Sequence, residues 1–170
     1  PTLNNVTISN NTANYGGGMY LEYSNPILTN VTISNNTADY GGGMSSFFSD
    51  PILTNVTIAN NTAFIQVGGI YLAYLDNITL MNTIIWNNGP DAVHVGSSGE
   101  LIITYSNIEG GWEGDGNIDI NPLFTEDFTL MEDSPCIDSG SLDLWYTDID
   151  GSRSDMGATG GLFVLPNFIF

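Results

Sequence analysis

The sequence predicts an all-β solenoid, a parallel β-helix of roughly five to six coils closed by a C-terminal capping module and an apolar C-terminal strand. Three observations carry that prediction. The tetrapeptide Asn-Val-Thr-Ile recurs at residues 5–8, 30–33 and 55–58, 25 residues apart each time. The short runs in each copy alternate at strand period, and no stretch has a helical period with caps. A copy of 25 residues has room for about three short strands, too few to bury its own apolar face, so the copies must stack.

Within a copy, Val31, Ile33 and Asn35 point one way and Asn30, Thr32 and Ser34 the other, with the first set as the expected core row. Stacking makes one column of Val6, Val31 and Val56 and another of Ile8, Ile33, Ile58 and Ile85. The asparagines that follow each strand, Asn10, Asn35, Asn60 and Asn87, are expected to form an amide ladder at a bend. Glycine-rich punctuation comes next, at residues 16–18, 41–43 and 68–69. A second short run follows at residues 19–21, 44–46 and 70–72, and Pro-Ile-Leu returns the chain to the start. A weaker fourth copy (residues 80–88) aligns on residues 53–61 after a step of 27, and a fifth (residues 101–111) places Ile108 over Ile85 after a step of 23. Residues 1–115 are therefore read as repeats, 116–160 as a closing module of the same domain and 161–170 as a tail.

A chain of 170 residues is long enough for one domain with a sizeable core. One Arg, Arg153, against 19 acidic residues gives a net charge of −18. That surface repels phosphate backbones and anionic lipid, so no nucleic-acid partner and no membrane insertion are expected; cations are the natural partners. A single cysteine, Cys136, makes no internal disulfide and reads as a small buried residue. The single histidine, His94, belongs on a turn or a face. Pro1 stands in register with Pro26 and Pro51, which reads as a processed chain or a fragment.

The run Asn36-Thr37-Ala38-Asp39-Tyr40-Gly41-Gly42-Gly43 resembles the right-handed parallel β-helix repeats of secreted and surface-anchored prokaryotic proteins. Residues 116–124 (GNIDINPLF), 128–130 (FTL), 134–140 (SPCIDSG), 148–153 (DIDGSR) and 155–158 (DMGA) are similar, in that order, to the closing module of those proteins. The resemblance implies a right-handed coil and an extracellular or cell-surface location. It also implies continuation into an anchoring or sorting domain, whereas this chain ends in GGLFVLPNFIF, an uncharged β-prone segment that aggregates if left exposed. The tail is expected to be covered by its own β-helix or by a neighbour.

Catalysis is not expected. Pectate-lyase-like enzymes of this fold need carboxylate-bound Ca²⁺ and a basic residue, and Arg153 lies outside the repeats. Polygalacturonase-like enzymes need two or three acids on one sheet face, where the repeat strands offer Asn, Thr and Ser. The turn acids Asp39, Asp50, Asp76 and Asp91 read as solvated surface. The best Ca²⁺ candidates are Asp148, Asp150 and Asp155 around a glycine turn, as a loose site, because Tyr146 and Gly157 stand where an EF-hand loop needs ligands. The alternative is a simple Asp-Gly turn with Arg153 pairing one carboxylate.

Of seven Asn-x-Ser/Thr sequons, Asn5, Asn30, Asn55 and Asn77 are the glycosylation candidates, while Asn10, Asn35 and Asn60 are expected to point inward. The alternative is that all seven are by-products of Asn- and Thr-rich strands. The functional expectation is an extracellular structural or adhesive protein, the subunit of a head-to-tail filament. In it the tail (Phe163, Val164, Leu165, Phe168, Ile169 and Phe170) or the last coil pairs with the open first coil of the next copy. The rival is a carbohydrate-binding or carbohydrate-cleaving β-helix that meets surface polysaccharide through Tyr20, Tyr23, Tyr71 and Tyr74. A third reading is an ice-binding array of Asn5/Thr7/Ser9, Asn30/Thr32/Ser34 and Asn55/Thr57/Ala59.

Overall fold

Asparagine decides where each coil bends. The computed structural model describes residues 1–97 and 99–161. In it Asn5, Asn30, Asn55 and Asn82 hold φ between 51° and 54°, and Asn10, Asn35, Asn60 and Asn87 between 54° and 60°. Left-handed backbone costs asparagine less than other side-chain-bearing residues, because its short amide bonds locally. A third column of such bends falls on Tyr23, Phe48 and Leu75 (φ 48°, 51° and 50°), which have no such preference. Three bends per repeat wind the chain into coils.

The first coil carries β1 (Thr2–Ser9) and β2 (Met19–Glu22), and the second carries β3 (Ile27–Ser34), β4 (Thr37–Ala38) and β5 (Met44–Phe47). The third carries β6 (Ile52–Ala59), β7 (Thr62–Ala63) and β8 (Ile70–Tyr74). The fourth carries β9 (Asn77–Met81), β10 (Ile84–Trp86) and β11 (Val93–Ser97), and β12 (Glu100–Thr104) and β13 (Asn107–Ile108) begin a fifth. All strand pairs are parallel. One sheet runs β1-β3-β6-β10-β13 with β9 and β12 beside it, a second runs β11-β8-β5-β2, and β4 pairs with β7. With four strands in the second sheet the solenoid has about four turns, fewer than the repeat count implied. Beyond β13 the stack ends in a parallel bridge of Ile118 on Asn107, after which the chain leaves it.

The predicted columns stand in register. Val6 lies on Val31 and Val31 on Val56. Ile8, Ile33, Ile58, Ile85 and Ile108 form one continuous row. Leu28, Val31, Ile33, Met44, Leu53, Val56, Ile58, Ile70, Leu80 and Ile85 are wholly buried, and each such aliphatic side chain contributes about 1.5–3 kcal/mol through removal from water.

The continuous amide ladder sits one residue later than the sequence pattern placed it, and the expected row has one such bond, from the Asn87 amide to Asn60 Oδ1 at 2.8 Å. Asn36 Oδ1 accepts from the backbone N–H and the side-chain amide of Asn11, both at 3.0 Å. Asn61 serves Asn36 in the same way, and Asn88 serves Asn61. Asn10, Asn35 and Asn60 are exposed, so Asn35 does not belong to the core row. The cause is the left-handed bend at each of them, which turns the following amide inward.

Past β13 the chain first covers the last coil. Ile108 N–H donates to the Ile118 carbonyl and Tyr105 N–H to that of Asp115, and Trp112 packs against the core. Residues 134–161 then fold back along the first sheet. Cys136 and Met156 bury with Ile84 in a small second core, and Cys136 is the small buried residue expected, its thiol pushed up by burial. The Asn82 carbonyl accepts from Gly157 N–H, and Thr57 Oγ1 from Ala158 N–H at 2.9 Å.

Candidate ligand-binding face

Strand alternation sends Leu21 into the core and turns Tyr20 and Glu22 outward on the second sheet. In register, Tyr20 stands over Ser45, Ser45 over Tyr71 and Tyr71 over His94, while Glu22 stands over Phe47. Ser45 is small and buried, its hydroxyl spent between Gly16 N–H and the Tyr40 carbonyl. The gap it leaves is filled by larger neighbours. Phe47 lies 5.4 Å from Tyr20, 5.7 Å from Tyr15 and 6.1 Å from Tyr71, ring to ring, and Tyr40 stacks on Tyr15 at 5.0 Å.

Ring orientation separates two aromatic groups. Tyr20, Phe47 and Tyr15 meet at 44° to 79°, tilted or edge to face rather than stacked, while Tyr40 covers one face of Tyr15. Tyr15 and Tyr20 are nearly half exposed. Tyr23, Phe48 and Tyr74 instead stack within 16° of parallel at 5.1 and 5.9 Å, each ring capping the next. In this second group, a stacked spine, Tyr23 and Phe48 occupy costly bend positions and Tyr74 precedes the third, Leu75, so the stacking offsets part of the strain. Of the four tyrosines singled out in the sequence, Tyr20 and Tyr71 therefore share one cluster while Tyr23 and Tyr74 belong to the other. Tyr15, Tyr40, Phe47 and Glu22 were missed; the Tyr15/Tyr40 repeat before the first two glycine runs was the available signal. Crowding by neighbours, then the adjacent Glu22 carboxylate, pushes the Tyr20 phenol above its ordinary value.

The carboxylate cluster differs from expectation by one member. Asp138, Asp148 and Asp155 bring oxygens within 4.8 Å of one another. Asp150 turns away and accepts from Ser152, which holds its carboxyl below the ordinary value. Burial pushes Asp155 up to about 6, against the pull of the Asp138 N–H. Burial also raises Asp148, opposed by N–H donors from Gly161 and Asp155. Any Ca²⁺ held here would take Asp138 in place of Asp150. Arg153 does not pair with a carboxylate in the way the simple-turn alternative required. Its guanidinium donates to the carbonyls of Gly140 (2.6 Å) and Ser139 (3.0 Å) and lies 6.0 Å from the centre of the Tyr105 ring.

Asp76 is likewise not solvated surface. It is fully buried, accepting from Ser46 Oγ, Ser49 N–H and Ala73 N–H. His94 lies on a face, stacked on Tyr71 at 5.3 Å.

Sequon orientation follows the sequence expectation at Asn5 and Asn77 and is reversed at Asn10, Asn30, Asn35, Asn55 and Asn60. Asn30 and Asn55 are buried, and Asn55 donates to Ser154 and to the Asp155 carbonyl. Asn5, Asn10, Asn35, Asn60 and Asn77 are exposed. The same burial removes the flat hydroxyl and amide array on which an ice-binding reading depended, since Thr57, Ser34 and Ala59 are covered too. At the last coil the chain's own Asp115 and Ile118 carbonyls cover Tyr105 and Ile108, while β11 stands at the end of its sheet. The tail residues Phe163, Val164, Leu165, Phe168, Ile169 and Phe170 lie outside the described residues.

Residues 2–119 match the family model described as right handed beta helix region, more than half of the chain. No curated protein and no solved structure gave a match.

Proposed function

The chain belongs to the right-handed β-helix family, and from that premise we propose that it is a non-catalytic, extracellular adhesive element whose working face binds carbohydrate. The observation that carries this reading is the cluster in which exposed Tyr15 and Tyr20 stand beside half-buried Phe47, with the three rings tilted to one another rather than stacked. Aromatic rings on a rigid sheet suit the apolar faces of sugar rings, and tyrosine adds a hydroxyl that bonds theirs. The acids of the closing module accept hydrogen bonds from loop N–H groups, which supports a stapling role for them rather than acid–base chemistry.

A glycan array probed with the full chain and with a Tyr20→Ala/Phe47→Ala variant tests the proposal. Selective binding that drops about tenfold or more in the variant is expected. Tyr23→Ala should leave binding within about twofold, because that ring belongs to the stacked spine. No glycan binding by the parent chain, or equal binding by the Tyr20/Phe47 variant, would overturn the reading.

A further inference from the structure

The identity of the glycan follows from what shares the face with the rings. Glu22 leaves β2 on the same side as Tyr20 and sits in register beside Phe47 on β5. It is exposed. No lysine or arginine competes for it, because Arg153 is the only one in the chain and its guanidinium is committed to the carbonyls of Ser139 and Gly140. Aromatic ring faces carry the negative end of the ring quadrupole and attract cations. A carboxylate next to such faces adds direct charge attraction. Beyond contact range, a net charge of −18 draws cations toward the molecule and repels polyanions.

We infer that the face formed by Tyr15, Tyr20, Phe47 and Glu22 takes a glycan bearing free amino groups, of the glucosamine-polymer type, over neutral or uronic-acid chains. The inference rests on the carbohydrate reading of the same face. The sugar ring lies against Tyr20 and Phe47, and its ammonium group reaches the Glu22 carboxylate. A uronate chain would set its carboxylates against Glu22 in a strongly negative field. A neutral chain would meet the rings and leave Glu22 without a partner.

The test is calorimetric titration of the full chain with four oligosaccharides of equal length, made of glucosamine, N-acetylglucosamine, glucose and galacturonate. It is run at mildly acidic pH, where the amines are protonated, at low and at high salt. The glucosamine oligomer should bind at least about tenfold more tightly than its N-acetylated counterpart, with the advantage shrinking as salt rises. Glu22→Gln should abolish most of that advantage and leave the affinity for the N-acetylated oligomer within about twofold. Equal affinity for the amino and N-acetylated oligomers, both weakened by Tyr20→Ala, would overturn the amine preference while the carbohydrate reading stands. Amine binding unchanged by Tyr20→Ala/Phe47→Ala and by Glu22→Gln would overturn the assigned site, showing attraction to net charge alone. Failure of all four to bind would overturn both readings.

Discussion

A shift of one position along the chain separates a buried amide ladder from an exposed row, and the two should differ sharply in cost. Asn61→Ala removes the acceptor of Asn36 N–H and Nδ2 and the donor to the Ile33 carbonyl and Asn88 Oδ1, all buried. A loss of about 2–4 kcal/mol in urea denaturation is expected. Asn60→Ala sits on the surface with φ 56° and should lose only about 1 kcal/mol, the strain of a left-handed alanine. A reversed order would mean that the ladder is not the stronger element. The bend column gives a second contrast. Among the described residues Asn30 Oδ1 is buried without a partner, because the Asn55 amide that could reach it is drawn to Ser154 and the Asp155 carbonyl. Glycine accepts φ 52° freely and removes the orphan, so Asn30→Gly should be neutral or stabilising by about 1 kcal/mol. Asn55→Gly, which breaks two satisfied bonds, should destabilise. Sequence alternation could not reveal any of this, since a left-handed residue breaks the period-two rule without leaving a mark in composition.

Strands were the most legible elements, because a stacked column must repeat the same residue at the same step. Val6/Val31/Val56 and the isoleucine row were readable for that reason, and even the altered steps to Ile85 and Ile108 preserved the aliphatic branch that fills the slot. The glycine run between the sheets was legible as punctuation, but its necessity is a matter of space. A Cβ on Gly42 would lie 2.4 Å from the Thr62 carbonyl oxygen in the next coil. Gly42→Ala should therefore cost more than about 3 kcal/mol or prevent folding, read by circular dichroism and thermal melting; an unchanged melting curve would show that the coils separate there without penalty. The aromatic face was half legible. Tyr20 and Tyr71 were visible as recurring aromatics in the second run, whereas Phe47 and Glu22 are joined to them only by strand register. The closing module was readable as a string of motifs. Which sheet it covers, and hence the burial of Asn55 and Thr57, depends on contacts about a hundred residues apart.

At the scale of the molecule, Asp155 and Asp148 make a contribution to stability that falls with rising pH. Asp155 holds its proton to about pH 6 when folded, while an unfolded aspartate releases it near 4. Between those values the folded state binds more protons than the unfolded one, so this contribution is greatest below about pH 4 and is lost as pH climbs through 6. Asp148 is raised as well and adds in the same direction. Asp155→Asn should flatten the dependence of melting temperature on pH across that window and raise it at neutral pH; a slope identical to that of the parent chain would rule the group out. The fold-back of residues 134–161 has a mechanical side. Backbone hydrogen bonds between coils run along the solenoid axis, so a pull between its two ends unzips coils one at a time. Bonds from Asn55 to Ser154, from Ala158 to Thr57 and from Gly157 to the Asn82 carbonyl bolt the third and fourth coils together from the side. Among the described residues no such hydrogen bond reaches the first two coils, which carry Tyr15, Tyr20 and Phe47. Under tension they would peel first, each paying out about 85 Å of chain, so the aromatic face would come apart before the bolted coils gave way.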